Sequence, residues 1–394
     1  MEGRRRPAAP DSAARRPGRR PVRVGFVIDE LKPGAGTENQ LLLLFERFDR
    51  SRLEPLLCCL RGEPEFPTSG SRCEARVLGL RSLASPAILA ALGRFRSWVR
   101  SSRLDFVSTF FRDANLLGTV GGFLSGCPVV SNRRNLGRGY WHTPLELRKL
   151  RALNGMTSWF VANSGAIRDY TVAAEGVRAD RVVVIPNGVD RERFRPAAPG
   201  EREALRRALG FPEGATIVGC VANLREVKGV DVLVRAFPAV RREIRDARLF
   251  LVGVGREEPK LRALAESLGI SGATVFLGSR QDVPDLLRCF DVGALPSRAE
   301  SSPNAVIEYL ASGLPAVATA VGGTPDVLRD GAGGVLVPPD EPEAMGSALA
   351  RLLADPRALE ARGRAARLEA ERRFGLPAVL EMWYRFFEER LPSG

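Results

Sequence analysis

The sequence predicts an α/β fold built from two doubly wound parallel-sheet domains that face each other across a central cleft. Three observations lead there. Short apolar or β-branched runs alternate with longer helical patterns from Pro21 almost to the last residue, which is the rhythm of βαβ units. At 394 residues the chain is too long for one ordinary core. The rhythm breaks once, at the proline-rich stretch Phe194–Gly200, which reads as a linker.

Residues 1–20 hold seven arginines and no apolar core, so a disordered basic tail is expected rather than a secretory leader. First-half strand patterns follow at Val22–Ile28, Pro55–Leu60, Ala75–Leu78, Phe106–Thr109, Val129–Ser131, Trp159–Ala162 and Val182–Ile185. Helical patterns stand between them at Asn39–Phe48, Ile88–Val99, Thr143–Leu153 and Gly165–Ala174. The second half repeats the rhythm with strands at Thr216–Val221, Arg248–Val252, Thr274–Leu277, Val292–Leu295, Ala316–Thr319 and Gly334–Val337. A last helical pattern, Pro377–Arg390, carries Trp383, Tyr384, Phe386 and Phe387 and is too aromatic to stay undocked. The domains are therefore placed at 21–193 and 201–374, joined by 194–200, with 375–394 as a final helix. Facing sheets of this kind bring the carboxyl ends of their strands around one cleft.

Composition narrows the classes. Forty-four per cent apolar and 27% charged residues describe a soluble globular chain. No apolar run approaches the ~20 residues that span a bilayer. A net charge of +13 favours phosphates, anionic lipid or nucleic acid without choosing between them. The six cysteines (58, 59, 73, 127, 220 and 289) are scattered without a C-x-x-C pair and read as reduced core residues of a cytoplasmic protein.

The stretch Arg298–Ala311 is the first candidate for chemistry. Glu300 follows an apolar strand, Ser302, Pro303 and Asn304 look like a helix start with polar caps, and Glu308 lies one turn inside. Such a start offers backbone N–H groups and a positive dipole end to an anion. A nucleotide-sugar, with hydroxyls at both ends and a diphosphate between, would suit that order. A capped helix with two solvated glutamates has the same pattern. In Val221–Asp231, Arg225 and Lys228 stand three apart in a loop after a strand, where both can reach one phosphate group. Gly34 and Gly36, with Thr37, lie in the loop after the first strand, Gly253 and Gly255 after Arg248–Val252, and Gly322–Gly323 after Ala316–Thr319. Each is a close-approach loop or a plain turn. Pro186–Asp190 is a turn signal directly after a strand.

Absent motifs exclude other chemistries. There is no D-x-D, H-E-x-x-H or cysteine–histidine cluster, so no metal site is expected. His142 is the only histidine and G-x-S-x-G is missing, which leaves a hydrolase triad little to build on. Neither a P-loop nor the dinucleotide fingerprint G-x-G-x-x-G appears. Acid chemistry falls to carboxylates, and phosphate chemistry to Arg, Lys and helix ends.

With Asn-Leu-Arg-x-x-Lys-Gly at 223–229, Glu-Ser-Ser-Pro-Asn-Ala-Val-Ile-Glu at 300–308, Gly-Gly-Thr-Pro-Asp-Val at 322–327 and Pro-Asn-Gly-Val-Asp at 186–190, the chain resembles the retaining GT-B glycosyltransferases of family 4 (glycosyl transferases group 1). The resemblance extends from Val22 to the final helix and implies the GT-B fold, two Rossmann-like domains with the last helix crossing back to the first. It also implies transfer of a sugar from a UDP- or GDP-sugar to a glycan or a lipid-linked acceptor such as a polyprenyl diphosphate. The implied setting is surface polysaccharide or lipopolysaccharide assembly, with no metal and no cofactor beyond the donor. On that resemblance Arg225 and Lys228 hold the diphosphate, Glu300 the transferred sugar and Glu308 the ribose. Ser302, Asn304 and Ala305 meet the distal phosphate, Gly36 and Thr37 close over it, and Gly253 belongs to the donor loops.

Many members have a histidine just after the fourth strand, whereas this chain reads Thr109-Phe-Phe-Arg-Asp-Ala-Asn115. Arg112, Asn115, Arg133 and His142 are the acceptor-side candidates. The basic stretch Arg133, Arg134, Arg138, Arg148, Lys149 and Arg151 suggests a peripheral anionic membrane surface, at the inner face of the cytoplasmic membrane, or else a solvated face. Three rivals stay open: a scaffold that binds nucleotide-sugar without turnover, a Rossmann-type oxidoreductase, and a nucleic-acid binder. The last is disfavoured because Tyr and Trp together number only eight, and no nucleic-acid partner is expected.

Overall fold

The computed structural model describes residues 20–34, 36–70, 72–135, 143–328 and 333–391. The expected basic tail therefore lies outside the described residues, Arg20 excepted. The first half runs β1 (Val22–Ile28), α1 (Gly36–Arg47), β2 (Leu53–Cys59), β3 (Glu74–Val77), α2 (Ile88–Ser101) and β4 (Phe106–Thr109). It continues with α3 (Arg112–Leu124), β5 (Val129–Arg133), α4 (Pro144–Gly155), β6 (Trp159–Ala162), α5 (Gly165–Glu175) and β7 (Val182–Val184). The second half begins with α6 (Glu201–Ala208), β8 (Ile217–Val221), α7 (Val230–Glu243), β9 (Arg248–Val252), α8 (Glu258–Ser267) and β10 (Thr274–Gly278). Then come α9 (Val283–Cys289), β11 (Val292–Leu295), α10 (Asn304–Ala311), β12 (Ala316–Thr319), α11 (Thr324–Val327) and β13 (Gly334–Val337). Three helices close the chain: α12 (Pro342–Leu353), α13 (Pro356–Arg373) and α14 (Leu376–Glu388).

The first sheet has seven strands in the order β3-β2-β1-β4-β5-β6-β7 and the second has six, β10-β9-β8-β11-β12-β13. Their pairings are parallel, because apolar runs buried on both faces need helices on both faces. The order reverses between β1 and β4 and again between β8 and β11, and ligands of open parallel sheets bind outside such switch points. Sequence and structure differ mostly by a residue or two at element ends. β2 starts at Leu53, two residues earlier than expected, and takes in Pro55, which pairs with Val24 where β3 has not yet begun. A proline is tolerated there because no second neighbour needs its missing N–H.

α14 packs on the first domain. Trp383, Tyr384, Phe386 and Phe387 are buried among Phe26, Phe48 and Phe106, Phe387 lying 5.1 Å from the Phe106 ring. Arg52 forks to Glu388 at 2.8 Å and reaches Glu381 at 2.6 Å, which fixes the register of the helix. The connection at 194–200 is less free than its composition suggests. Phe194 is buried in the second core, and Arg367 on α13 donates to the carbonyls of Arg191, Phe194 and Ala311.

Candidate active site in the interdomain cleft

The loops that emerge at the two switch points carry the candidate residues. After β8 the chain turns through Arg225 and Lys228 at a short 3-10 turn, Glu226–Lys228. Gly253, at the end of β9, has φ +130° and packs so closely on Ala222 that a Cβ would lie 2.1 Å from its carbonyl oxygen. That close approach seats the loop that carries Arg225. Arg225 is exposed with no side-chain partner among the described residues.

Lys228 Nζ lies 2.5 Å from Glu300 Oε1, and the same oxygen accepts from Ser297 Oγ at 2.7 Å. Glu300 is buried, at 8% exposure. Its backbone is set by Gly322, with φ +49°, where a Cβ would overlap the Glu300 carbonyl oxygen at 1.6 Å. The catalytic lysine and glutamate of the expectation are thus neighbours although 72 residues apart. The pair leaves the two charges mutually compensated. Glu308, inside α10, is half-buried, and burial pushes its carboxyl up to about 7 against the pull of Arg193.

The α10 tip departs from expectation. Its N-cap is Pro303 and no side chain caps it. Asn304 does not turn back on its own helix: it accepts from Asn187 Nδ2 at 2.6 Å and donates to the Gly36 carbonyl at 3.5 Å. The first-turn N–H groups therefore keep their capacity for an anion. Ser302 is buried and Ala305 half-buried beside this tip. The turn that carries Asn187 is held by Gln40, whose amide exchanges two 2.9 Å bonds with Gly188. Below it, Asp326 of the second domain caps α5, accepting from Gly165 N at 2.7 Å and Ala166 N at 3.3 Å.

On the first-domain side a cavity of about 760 Å³ opens beside Thr37, Phe111, Arg112 and Asn115. Asn115 Oδ1 accepts from Thr109 Oγ1 at 2.5 Å and Ser131 Oγ at 2.7 Å. Arg112 pairs with Glu146 at 3.1 Å. Arg133, an acceptor-side candidate, lines the same cavity. It is buried in an ion pair with Glu175 at 2.9 Å and bonded to Asn154 at 2.9 Å, so its charge braces β5 against α4 and α5. His142 lies outside the described residues, as does Arg138. Elsewhere in the basic stretch, Lys149 pairs with Glu146 and Arg151 donates to the Ala174 carbonyl.

Pattern reading missed several lining residues. Phe111 occupies the stretch where the resemblance places a histidine and has φ +66°, a conformation phenylalanine holds only under constraint. Asp29 follows β1 and accepts from Ala114 N at 2.7 Å, and burial pushes its carboxyl up to about 6. Its place at a strand mouth was a usable signal. Phe111 and Arg61, which also line the cavity, gave none. Among the described residues no group of three His, Cys, Asp or Glu is placed to hold a metal ion.

Comparisons with known proteins agree with this layout. Residues 34–193 match the family described as Glycosyltransferase Family 4, and residues 215–355 match Glycosyl transferases group 1. A D-inositol 3-phosphate glycosyltransferase of Saccharomonospora viridis is 38% identical over 223 residues, 54% of this chain and 51% of that protein. A GDP-mannose-dependent monoacylated alpha-(1-6)-phosphatidylinositol monomannoside mannosyltransferase of Corynebacterium glutamicum is 35% identical over 48% of this chain and 51% of its own length. The chain spans about half the length of the curated relatives it matches. Anabaena HepE, solved with UDP, superposes with TM-score 0.83 at 22% identity, over 93% of this chain and 100% of that one. WaaG, a glycosyltransferase involved in lipopolysaccharide biosynthesis, gives 0.72 at 18% identity over 94% and 100%. At such identities the two structures speak for the fold alone, which is GT-B. Both halves of the cleft fall within matched segments, and the chain belongs to the family 4, group 1 glycosyltransferases.

Proposed function

We propose that the chain transfers a hexose from a UDP- or GDP-sugar to a glycan or lipid-linked acceptor, with retention of configuration and without a metal. The observations that support this reading are the Lys228–Glu300 pair and the α10 tip without a side-chain cap, whose Asn304 donates to the Gly36 carbonyl of the other domain at 3.5 Å. As the glycosidic C–O bond breaks, negative charge grows on the departing diphosphate. Arg225, Lys228 and the helix N–H groups are aimed where that charge appears, which lowers the barrier without an added cation. Glu300, released from Lys228, accepts from sugar hydroxyls, and Glu308 accepts from those of the ribose. Retention is supported by family membership rather than by any distance in the site. The relatives' names favour a phosphorylated polyol or a glycolipid as acceptor, alongside the saccharides of surface polysaccharide assembly. A cytoplasmic location at the inner membrane face belongs to the same proposal; no helix among the described residues is long and apolar enough to cross a membrane.

Thermal shift against a panel of nucleotide-sugars, followed by turnover with whichever stabilises the protein, tests the reading. One UDP- or GDP-sugar should raise the melting temperature and be consumed. A panel with no hit would end it. The phenylalanine pair at 110–111 favours a second reading, a scaffold that binds donor without turnover. Donor binding with no transfer to any acceptor and no slow hydrolysis would select it.

A further inference from the structure

The first-domain cavity is nearly balanced in charge except at one residue. Arg61 pairs with Asp113 at 2.6 Å, and Arg112, Lys149 and Arg133 have the carboxylates described above. Arg134, the residue after β5, has none among the described residues. Its Nη1 donates to Asn187 Oδ1 at 2.7 Å, its guanidinium lies 5.4 Å over the Phe110 ring, and its Nε is buried without a hydrogen-bond partner. A guanidinium does not shed its proton at neutral pH, so burial without a counter-ion is a standing cost. Burial pulls its pKa down to about 10. The group is also well placed. It lines the cavity, and Asn187 hands the bond on to Asn304, first residue of α10, and so to Gly36.

We propose that Arg134 is a phosphate-binding residue of the first domain, facing a phosphate at the junction of the cavity and the α10 tip. The inference rests on the donor placement proposed above. Two sources fit the chemistry: the distal phosphate of the donor, or a phosphate carried by the acceptor. In the first case Arg134 joins Arg225 and Lys228 on one diphosphate and ties the two domains through it. In the second it selects phosphorylated acceptors.

Calorimetry with UDP, GDP and UMP on the wild type, Arg134→Gln and Arg134→Lys separates these outcomes, together with ³¹P line broadening of orthophosphate added to nucleotide-saturated protein. For a donor phosphate, Arg134→Gln weakens the better diphosphate at least tenfold and leaves UMP unchanged, with part of the loss restored by Arg134→Lys. For an acceptor phosphate, diphosphate affinity is unchanged and orthophosphate binding to the loaded protein disappears. In both cases Arg134→Gln melts no lower than the wild type, because an uncompensated charge has been removed. Equal diphosphate and orthophosphate binding in wild type and Arg134→Gln, or a melting temperature lowered in both variants with binding intact, would overturn the proposal. A wild type that binds no nucleoside diphosphate would instead sink the sugar-transfer reading, leaving the orthophosphate arm to judge Arg134.

Discussion

The two sheet mouths that form the cleft handle charge in opposite ways. In the second domain Arg225 stands free among the described residues, the α10 tip is uncapped, and Lys228 holds a single carboxylate that a phosphate can displace. In the first domain Arg61, Arg112, Arg133 and Lys149 each already hold a carboxylate. One mouth leaves a cation and helix N–H groups uncommitted, and the other pairs its cations with carboxylates, with Arg134 as the exception. Basic residues crowd both halves, so a count of charges does not find the anion site. Which cations lack partners is what distinguishes the two mouths.

The largest effects should come from breaking the pairs that make the first mouth neutral. Arg133→Ala leaves Glu175 buried and unpaired, and should cost about 3–5 kcal/mol in chemical denaturation. The double change Arg133→Met with Glu175→Leu should recover most of it. If Arg133 instead binds acceptor, the single change alters acceptor KM at unchanged stability. In the second mouth, Lys228→Ala and Glu300→Gln should each lower transfer on the order of 10²–10³-fold with a native circular-dichroism spectrum. Near-normal rates in both would remove the assignment.

A pH profile sharpens the comparison further. The Glu308 carboxyl, at about 7, takes up a proton as pH falls through neutrality and then no longer accepts from two hydroxyls. Donor affinity should drop by up to about tenfold per pH unit below 7, and Glu308→Gln should flatten the profile. The same upward shift from 4.5 means that ionising Glu308 opposes folding as pH rises to 7. Glu308→Gln should accordingly gain more melting temperature over the wild type at pH 8 than at pH 5. The smallest expected effect is that of EDTA, which should leave the transfer rate unchanged if protein cations alone grip the diphosphate.

The fold was legible because it is written locally. Buried parallel strands need continuous apolar runs, and the helices between them need amphipathic spacing; β4, β6, β9, β11, β12 and β13 appear with the bounds read from sequence. Element ends were less so, since the final residues of a helix such as α2, Arg100 and Ser101, carry no apolar signal of their own. In the site, Arg225, Lys228, Glu300 and Asn304 were visible through their place after strands. For Gly253 and Arg133 the sequence carried no sign of the close packing on Ala222 or of the buried pair with Glu175.

Local spacing by itself therefore determined where the loops emerge and which residue types they bring to the cleft. What those residues then touch was decided by tertiary structure. Arg133 meets Glu175 across 42 residues, Lys228 meets Glu300 across 72, and Asn187 meets Asn304 across 117. A side chain's charge is worth what its neighbours leave of it, and those neighbours come from strands and helices that only the folded sheets bring together.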